Sequence, residues 1–258
     1  MRLGLVLTEG REARMARSAE EHGLFGVLAG MGDPRTAVTA AVYASTATDF
    51  VRVVVRIELG LEHPVTIAEE IAVLDNANNG RTVVLVHTGS VAATDAADEV
   101  AVLREALGNR PIHHEGSRWK VPVGLPANVQ ATRSIAVTPK PAQLEIPFWI
   151  AGGASREVAE KAGLPVLARD ASADLNRGLV QPGVAAITGD LDRDRDLVTR
   201  WATAGATHLL LEVPRDADQA AVMMVISRHL APEVGMPHFP RVMSNSKVPL
   251  PWPGEGRG

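Results

Sequence analysis

Short apolar runs recur along the chain, and each leads into a stretch whose apolar residues return every three or four positions. Arg2–Leu7 is followed by Arg11–His22, which Gly23 closes, and Leu24–Ala29 by a helix from Pro34 to about Ala47. Val51–Leu59 (VRVVVRIEL) leads to Pro64–Asn78, and Thr82–His87 to a helix over about Asp95–Leu107. Residues 109–145 break the rhythm with HHEGSRWKVP and the proline-rich TPKPAQLEIP, and predict no helix. It resumes at Phe148–Ala151, with a helix beginning near Ser155, and a sixth run is Val166–Arg169. Val184–Thr188 precedes a helix over Leu191–Ala204, and His208–Val213 precedes the last, about Asp216–Leu230. The sixth helical place, Ala171–Val180, is the weakest, because it holds Gly178 and meets Pro182.

The unit HPVTIAEEIAVLDNANNGRTVVLVHTGS shows the logic most clearly. Pro64 opens the helix, Ile67, Ile71 and Leu74 mark its apolar face, and Asn79-Gly80 stops it. The strand that follows ends in the polar His87-Thr88. Apolar strands alternating with helices imply a parallel sheet covered by helices. Eight such repeats predict an α/β fold of the (β/α)₈ barrel type, with a doubly wound open sheet as the competitor. The expected organisation is a single barrel domain over residues 1–235, carrying the excursion 109–145. The proline-rich residues 236–258 are expected to be an extended or disordered tail.

Composition narrows the function classes. A 258-residue chain that is 46% hydrophobic and 22% charged reads as an ordinary globular protein. No apolar run nears the ~20 residues that span a bilayer, and MRLGLVLTEG does not read as a signal peptide, so a cytoplasmic protein without a membrane partner is expected. Absence of cysteine excludes disulfides, a thiolate metal site and a cysteine nucleophile. A net charge of −4 with scattered Lys and Arg gives no nucleic-acid footprint.

Barrel active sites lie at the carboxyl ends of the strands. The residues expected there are Thr8, Glu9, Met31, Asp33, Arg56, Glu58, His87, Thr88, Gly152, Gly153, Ser155, Arg169, Asp170, Thr188, Asp190, Glu212 and Arg215. Arg56 and Glu58 stand two apart in an apolar strand, so both side chains face one way. They make either an acid-base site or a structural ion pair in the mouth. His87 is a candidate general acid or base, or else a hydrogen-bonded mouth histidine. Gly152-Gly153-Ala154-Ser155 opens a helix after the fifth strand; it is either an anion cradle or a tight turn with Ser155 as N-cap. His113-His114-Glu115 lacks a third ligand at zinc spacing and predicts a solvated hairpin and no metal. Met223-Met224 predicts core filling, and LDRDRD a charged helix start. There is no nucleophile elbow, Walker-type loop or HExxH.

Several segments, in order, resemble the bacterial-luciferase-like superfamily of flavin- and deazaflavin-dependent oxidoreductases and monooxygenases. They are SAEEHGLFGVL, DPRTAVTAAVYASTATDFVRV, HPVTIAEEIAVLDNANNGR, DEVAVLREAL with IHHEGSRWKVP, TPKPAQLEIPFWIAGGAS and AGATHLLLEVP. The resemblance covers about four-fifths of the chain and implies a trimmed (β/α)₈ barrel. It implies reduced FMN, or a deazaflavin, as cofactor and a small organic molecule as substrate. Gly152, Gly153, Ala154 and Ser155 would cradle the phosphate. Ile57 and Glu58 would buttress the ring, at a place where the family often has a non-prolyl cis bond. His87 and Thr88 would lie beside the ring; His87, Glu58 and Arg56 are the candidate catalytic groups by their place at the strand ends. The resemblance also implies a separate flavin reductase and a homodimer formed through the second and third helices, whose Ala40, Ala41, Ala44, Ala68 and Ala72 permit close approach or equally suit packing on the barrel.

The chain departs from that pattern in three places. Ala29-Gly30-Met31-Gly32 stands where members commonly carry a histidine after strand two. HTGSVAATDAADE replaces a glycine-rich run and a long insertion, and Asn76 to Asn79 replace the usual Ser-Gly-Gly. These departures leave an alternative open: a barrel without cofactor, working as a non-redox acid-base enzyme or as a noncatalytic partner subunit.

Overall fold

The computed structural model describes residues 1–123, 135–171 and 180–236. Seven strands form one sheet: β1 (Arg2–Val6), β2 (Gly26–Ala29), β3 (Arg52–Glu58), β4 (Thr82–His87), β7 (Phe148–Ala151), β8 (Pro182–Ala186) and β9 (His208–Glu212). Their order is β7-β4-β3-β2-β1-β9-β8, and every pairing is parallel. The segment expected as the sixth strand joins the two edges. Val166 pairs with Ile150, and Ala168 with Gly183. Leu167 N–H donates to Ile150 O at 2.7 Å, and Val184 N–H to Ala168 O at 2.9 Å. The sheet thus closes on itself, but through bridging pairs rather than a full strand over Val166–Arg169. Pro165 and Pro182 flank the seam, and neither has an N–H to extend a ladder.

Alternation along the strands separates two cores. Val6, Leu28, Val54, Leu85, Trp149, Leu167, Val184 and Leu210 fill the barrel interior. Leu5, Val27, Val53, Val84, Ile150 and Leu209 face the helices. Phe25, Trp149 and His208 close the amino-terminal end of the barrel, with ring centroids 4.8 Å (Phe25–His208) and 5.8 Å (Trp149–His208) apart. Gly4 leaves room for that plug: a Cβ there would meet the Phe25 ring at 2.7 Å.

Burial, and then the positive charges of Arg2, the amino terminus and Arg52, lower the pKa of His208 from 6.5 to about 4. A depressed histidine pKa means that the unfolded chain takes up the proton first. Stability is therefore complete above pH 6.5 and declines as pH falls towards 4. The expected loss is roughly 1 kcal/mol once solvent screening is counted. His208→Phe should show a smaller fall in thermal midpoint between pH 7 and 4.5 than the parent chain; equal falls would refute this assignment.

The helices are α1 (Glu12–Glu21), α2 (Ala37–Thr46), α3 (Pro64–Ala77), α4 (Ala93–Leu107), α5 (Ser155–Ala162), α6 (Leu191–Thr203) and α7 (Gln219–Val225), the last continuing through a π turn over Ile226–Leu230. They fall where the periodicity places them, with ends that coincide or shift by up to three residues. The sixth helical place and the tail lie almost wholly outside the described residues. Ala41, Ala44, Ala68 and Ala72 are fully buried, and Ala40 is partly buried against the same core, so these small residues serve packing within the chain. The outward side of α2 and α3 carries Val42, Tyr43 and Val73 instead. Met223 is buried as expected, but Met224 is 43% exposed. No helix among the described residues is long and apolar enough to cross a membrane.

The LDNANNGR segment is a structural clamp. Fully buried Asp75 accepts hydrogen bonds from Thr82 N at 3.3 Å, Gln143 N at 2.9 Å and Gln143 Nε2 at 2.8 Å. Arg81 donates to the carbonyls of Asn78, Val51, Thr48 and Ser45 and to Thr48 Oγ1, at 2.7–3.4 Å. Gln143 also donates to Thr82 O at 2.8 Å, which pins the return of the excursion beneath β4.

The excursion forms the expected hairpin, β5 (His114–Glu115) with β6 (Lys120–Val121), but it is not solvated throughout. The His114 side chain is 10% exposed and lies between Asp98 at 2.9 Å and Glu105 at 3.1 Å, both on α4. Burial works against its charge, but the bonds to the two carboxylates prevail and raise its pKa. Asp98 also accepts Arg118 N at 2.9 Å and Trp119 N at 2.8 Å. No metal-binding cluster is found among the described residues.

Candidate functional site

Lumen-facing positions of β3 and β4 end in charge. Arg56 Nη2 donates to Glu58 Oε2 at 2.8 Å, with side chains 14% and 24% exposed. Arg56 Nη1 also reaches Gly30 O at 3.4 Å, tying the pair to the end of β2. Glu58 and His87 are register partners on neighbouring strands, and His87 Nδ1 lies 3.8 Å from Glu58 Oε2. That is beyond a hydrogen bond. Gly89 N–H donates instead to His87 Nδ1 at 3.2 Å. An Nδ1 that accepts carries no proton, so neutral His87 holds its proton on Nε2. Burial, and then the charges of Arg56 and Arg169, lower its pKa against the opposing pull of Glu58. His87 is therefore mostly neutral at neutral pH.

The loop after β7 supplies the second half of the site. Gly152 has φ +105°, and a Cβ there would collide with Thr88 Oγ1. Thr88 is fully buried, and its Oγ1 accepts from Ala154 N at 3.3 Å. It therefore holds the glycine turn. Gly153 is different: it is exposed, and nothing lies within 4 Å of where its Cβ would sit. The N-cap of α5 is Ala154, not Ser155, and no side chain caps it. Ser155 N donates to Gly152 O at 3.2 Å. The amide of Gly153 and the hydroxyl of Ser155 thus remain as donors that no described residue engages, beside the first turn of α5. A cavity of about 1620 Å³ is lined by His87, Trp149, Ala151, Gly152, Ser155, Arg156 and Arg169 among others, so the turn after β7 and His87 open into one space, with Glu58 and Arg56 behind His87.

Three expectations are corrected. Ile57 does not buttress the mouth; it is 4% exposed and packs with the helix-facing core, as alternation from lumen-facing Arg56 and Glu58 requires. The cis bonds among the described residues are Val121-Pro122 and Thr138-Pro139, so β3 is trans at Ile57 and Glu58. Several rim residues serve the scaffold. Asp33 caps the turn at Pro34–Thr36, Asp190 caps α6, and Thr188 bonds Asp194, whose carboxylate also binds Gly189 N. Met31 packs against the barrel interior. Glu99, by contrast, was not expected at the site at all. It is a fully buried carboxylate on α4 that accepts Gly60 N at 2.8 Å, just after β3. Its only sequence signal is its place on the apolar face of α4, three residues before Val102 and four before Leu103.

A family model described as luciferase-like monooxygenase matches residues 8–181. Among solved structures, the fold is similar to the monooxygenase RslO1 from Streptomyces bottropensis, at 16% identity and TM-score 0.67, over 90% of this chain and 99% of that one. It is similar to the coenzyme F420-dependent tetrahydromethanopterin reductase from Methanopyrus kandleri, at 13% identity and TM-score 0.64, over 90% and 99%. It is also similar to a riboflavin lyase solved with modified FMN and riboflavin, at 14% identity and TM-score 0.52, over 81% and 61%. No curated protein matches the sequence.

Proposed function

The chain belongs to the luciferase-like monooxygenase family, and from that premise we propose that it is an oxidoreductase using a reduced flavin (FMN) or deazaflavin on a small organic substrate. One observation carries the reading: Gly152, Ser155 and Arg156 of the turn after β7 line one cavity with His87, the register partner of Glu58, which Arg56 holds at 2.8 Å. The residues present fit a phosphate-bearing cofactor. Gly153 leaves the turn open and its amide free of any described residue, and Ser155, the first turn of α5 and the lining guanidinium of Arg156 favour an anion there. When bound, the reduced ring supplies the two electrons of the reaction.

The protein's own groups bind, orient and handle protons. His87 presents Nε2–H to the cavity as a hydrogen-bond donor, held by the Gly89 amide behind it. Arg56 fixes the direction of the Glu58 carboxylate by their 2.8 Å bond. Glu58 offers its other oxygen as proton acceptor. The apolar lumen beneath, from Val54 to Trp149, excludes water from below. A separate flavin reductase supplies the reduced ring in this scheme, in keeping with a sequence that has no nicotinamide-binding fingerprint.

Met31, packed where relatives commonly have a histidine, favours a second reading: acid-base chemistry by Glu58, Arg56 and His87 without a cofactor. Fluorescence titration separates the two. Oxidised FMN, FMN reduced under nitrogen, and the deazaflavin F420 are each titrated into the protein. At least one should bind with Kd below about 100 μM. No saturation by any of them at about tenfold that concentration would discard the redox reading for the second.

A further inference from the structure

We infer that Glu99 is a positioning residue: it seats the loop after β3 and so sets how the Glu58–His87 pair meets the cavity. This deepens the proposed function, since that pair is its proton-handling group. Glu99 is fully buried on α4, a costly place for a carboxylate without partners. Its Oε1 accepts Gly60 N–H at 2.8 Å. Its Oε2 makes no hydrogen bond and faces Arg118 Nε of the hairpin tip at 3.6 Å. Gly60 stands two residues beyond Glu58, at φ +82°, and the residue between them, Leu59, donates its N–H to His87 O at 3.0 Å. One carboxylate thus holds the backbone that carries both Glu58 and the carbonyl of His87.

The other end of the linkage is the hairpin. Arg118 also faces Asp95 Oδ2 at 3.6 Å, and its guanidinium lies 5.6 Å from the Trp119 ring. Trp119 packs edge-on against His63, the N-cap of α3, at 4.5 Å between centroids. Glu99 is therefore where the excursion meets the catalytic strands. Its two oxygens do different work. The neutral acceptor function of Oε1 places the rim, and the charge facing Arg118 docks the hairpin tip.

Two conservative variants separate these roles in the protein without cofactor, so the outcome does not depend on the redox reading. Glu99→Gln keeps the reach to Gly60 and loses the charge. Glu99→Asp keeps the charge and is one methylene too short. The His87 titration is followed by NMR of its ring nitrogens, and the hairpin by the Trp119 indole N–H resonance. Glu99→Asp should move the His87 midpoint up by about half a pH unit, as the rim loosens and water enters. Glu99→Gln should leave that midpoint in place and shift the Trp119 resonance. A purely structural carboxylate would change the thermal midpoint while His87 titrates as before in both variants, and that result overturns the inference. Equal movement of His87 in both variants also overturns it, because charge rather than reach would then position the rim.

Discussion

Gly153→Asp is expected to weaken FMN binding by at least about 100-fold, equivalent to ~2.7 kcal/mol, while the thermal midpoint stays where it is. The two halves of this result come from one local geometry. A side chain at Gly153 meets nothing within 4 Å, and its backbone is not in the left-handed region, so the folded chain accepts aspartate without strain. In the proposed binding mode the added carboxylate stands at the phosphate site, next to Ser155 and Arg156, which line the cavity. It repels the phosphate and competes for the same donors. Gly153→Ala should bind almost normally, since it adds bulk without charge at an open position. Gly152→Ala should fail differently, by destabilising the protein, because its φ of +105° and its contact with Thr88 leave no room for a methyl group. If Gly153→Asp binds FMN like the parent chain, the phosphate does not sit at this turn.

Asp75→Ala should cost about 3–5 kcal/mol of stability, a fall of roughly 6–20 °C in thermal midpoint for a chain of this size. The carboxylate is fully buried and satisfies three donors, Thr82 N, Gln143 N and Gln143 Nε2. Removing it leaves the Thr82 and Gln143 amides without a partner and Gln143 Nε2 with Thr82 O alone. Asp75→Asn should cost less, because the side-chain amide still accepts on one oxygen. Cofactor affinity per folded molecule should not change, since this network lies below β4 at the end opposite the rim. Calorimetry and urea unfolding measure the first effect, and titration of the folded fraction the second. A loss under about 1 kcal/mol would mean that Gln143 and Thr82 find other partners.

The contrast between these residues explains what could be read from the sequence. Strand and helix positions follow from alternation and helical spacing, which survive in any single sequence. The Arg56–Glu58 pair stood out because two charges interrupt VRVVVRIEL with the same facing. That alternation also excludes Ile57 from the mouth, a consequence the family resemblance obscured. Asp75 and Glu99 were hard to recognise because a carboxylate on a helix is usually solvated. Their partners, Gln143 and Gly60, are 68 and 39 positions away. The burial of His114 is hidden for the same reason: its neighbours in sequence are exposed, while its bonding partners lie on α4. The short sixth strand follows from prolines on both sides, which act through ladder bonds that are never made. The motif that most strongly marks the family, LD followed by GR, proves to be scaffold here. The residues facing the cavity belong to less distinctive segments.

The closure of the barrel at Val166 and Ala168 has a mechanical consequence. A hoop is only as strong as its joint, and this joint holds by bridging pairs between β7 and β8, where the other strands share longer ladders. Thermal breathing of the wall should concentrate there. The joint also borders the cavity, through Leu167 and Arg169. The wall is thus most yielding where a bulky guest would have to be admitted, and stiffest around Arg56 and Glu58, where geometry must be kept.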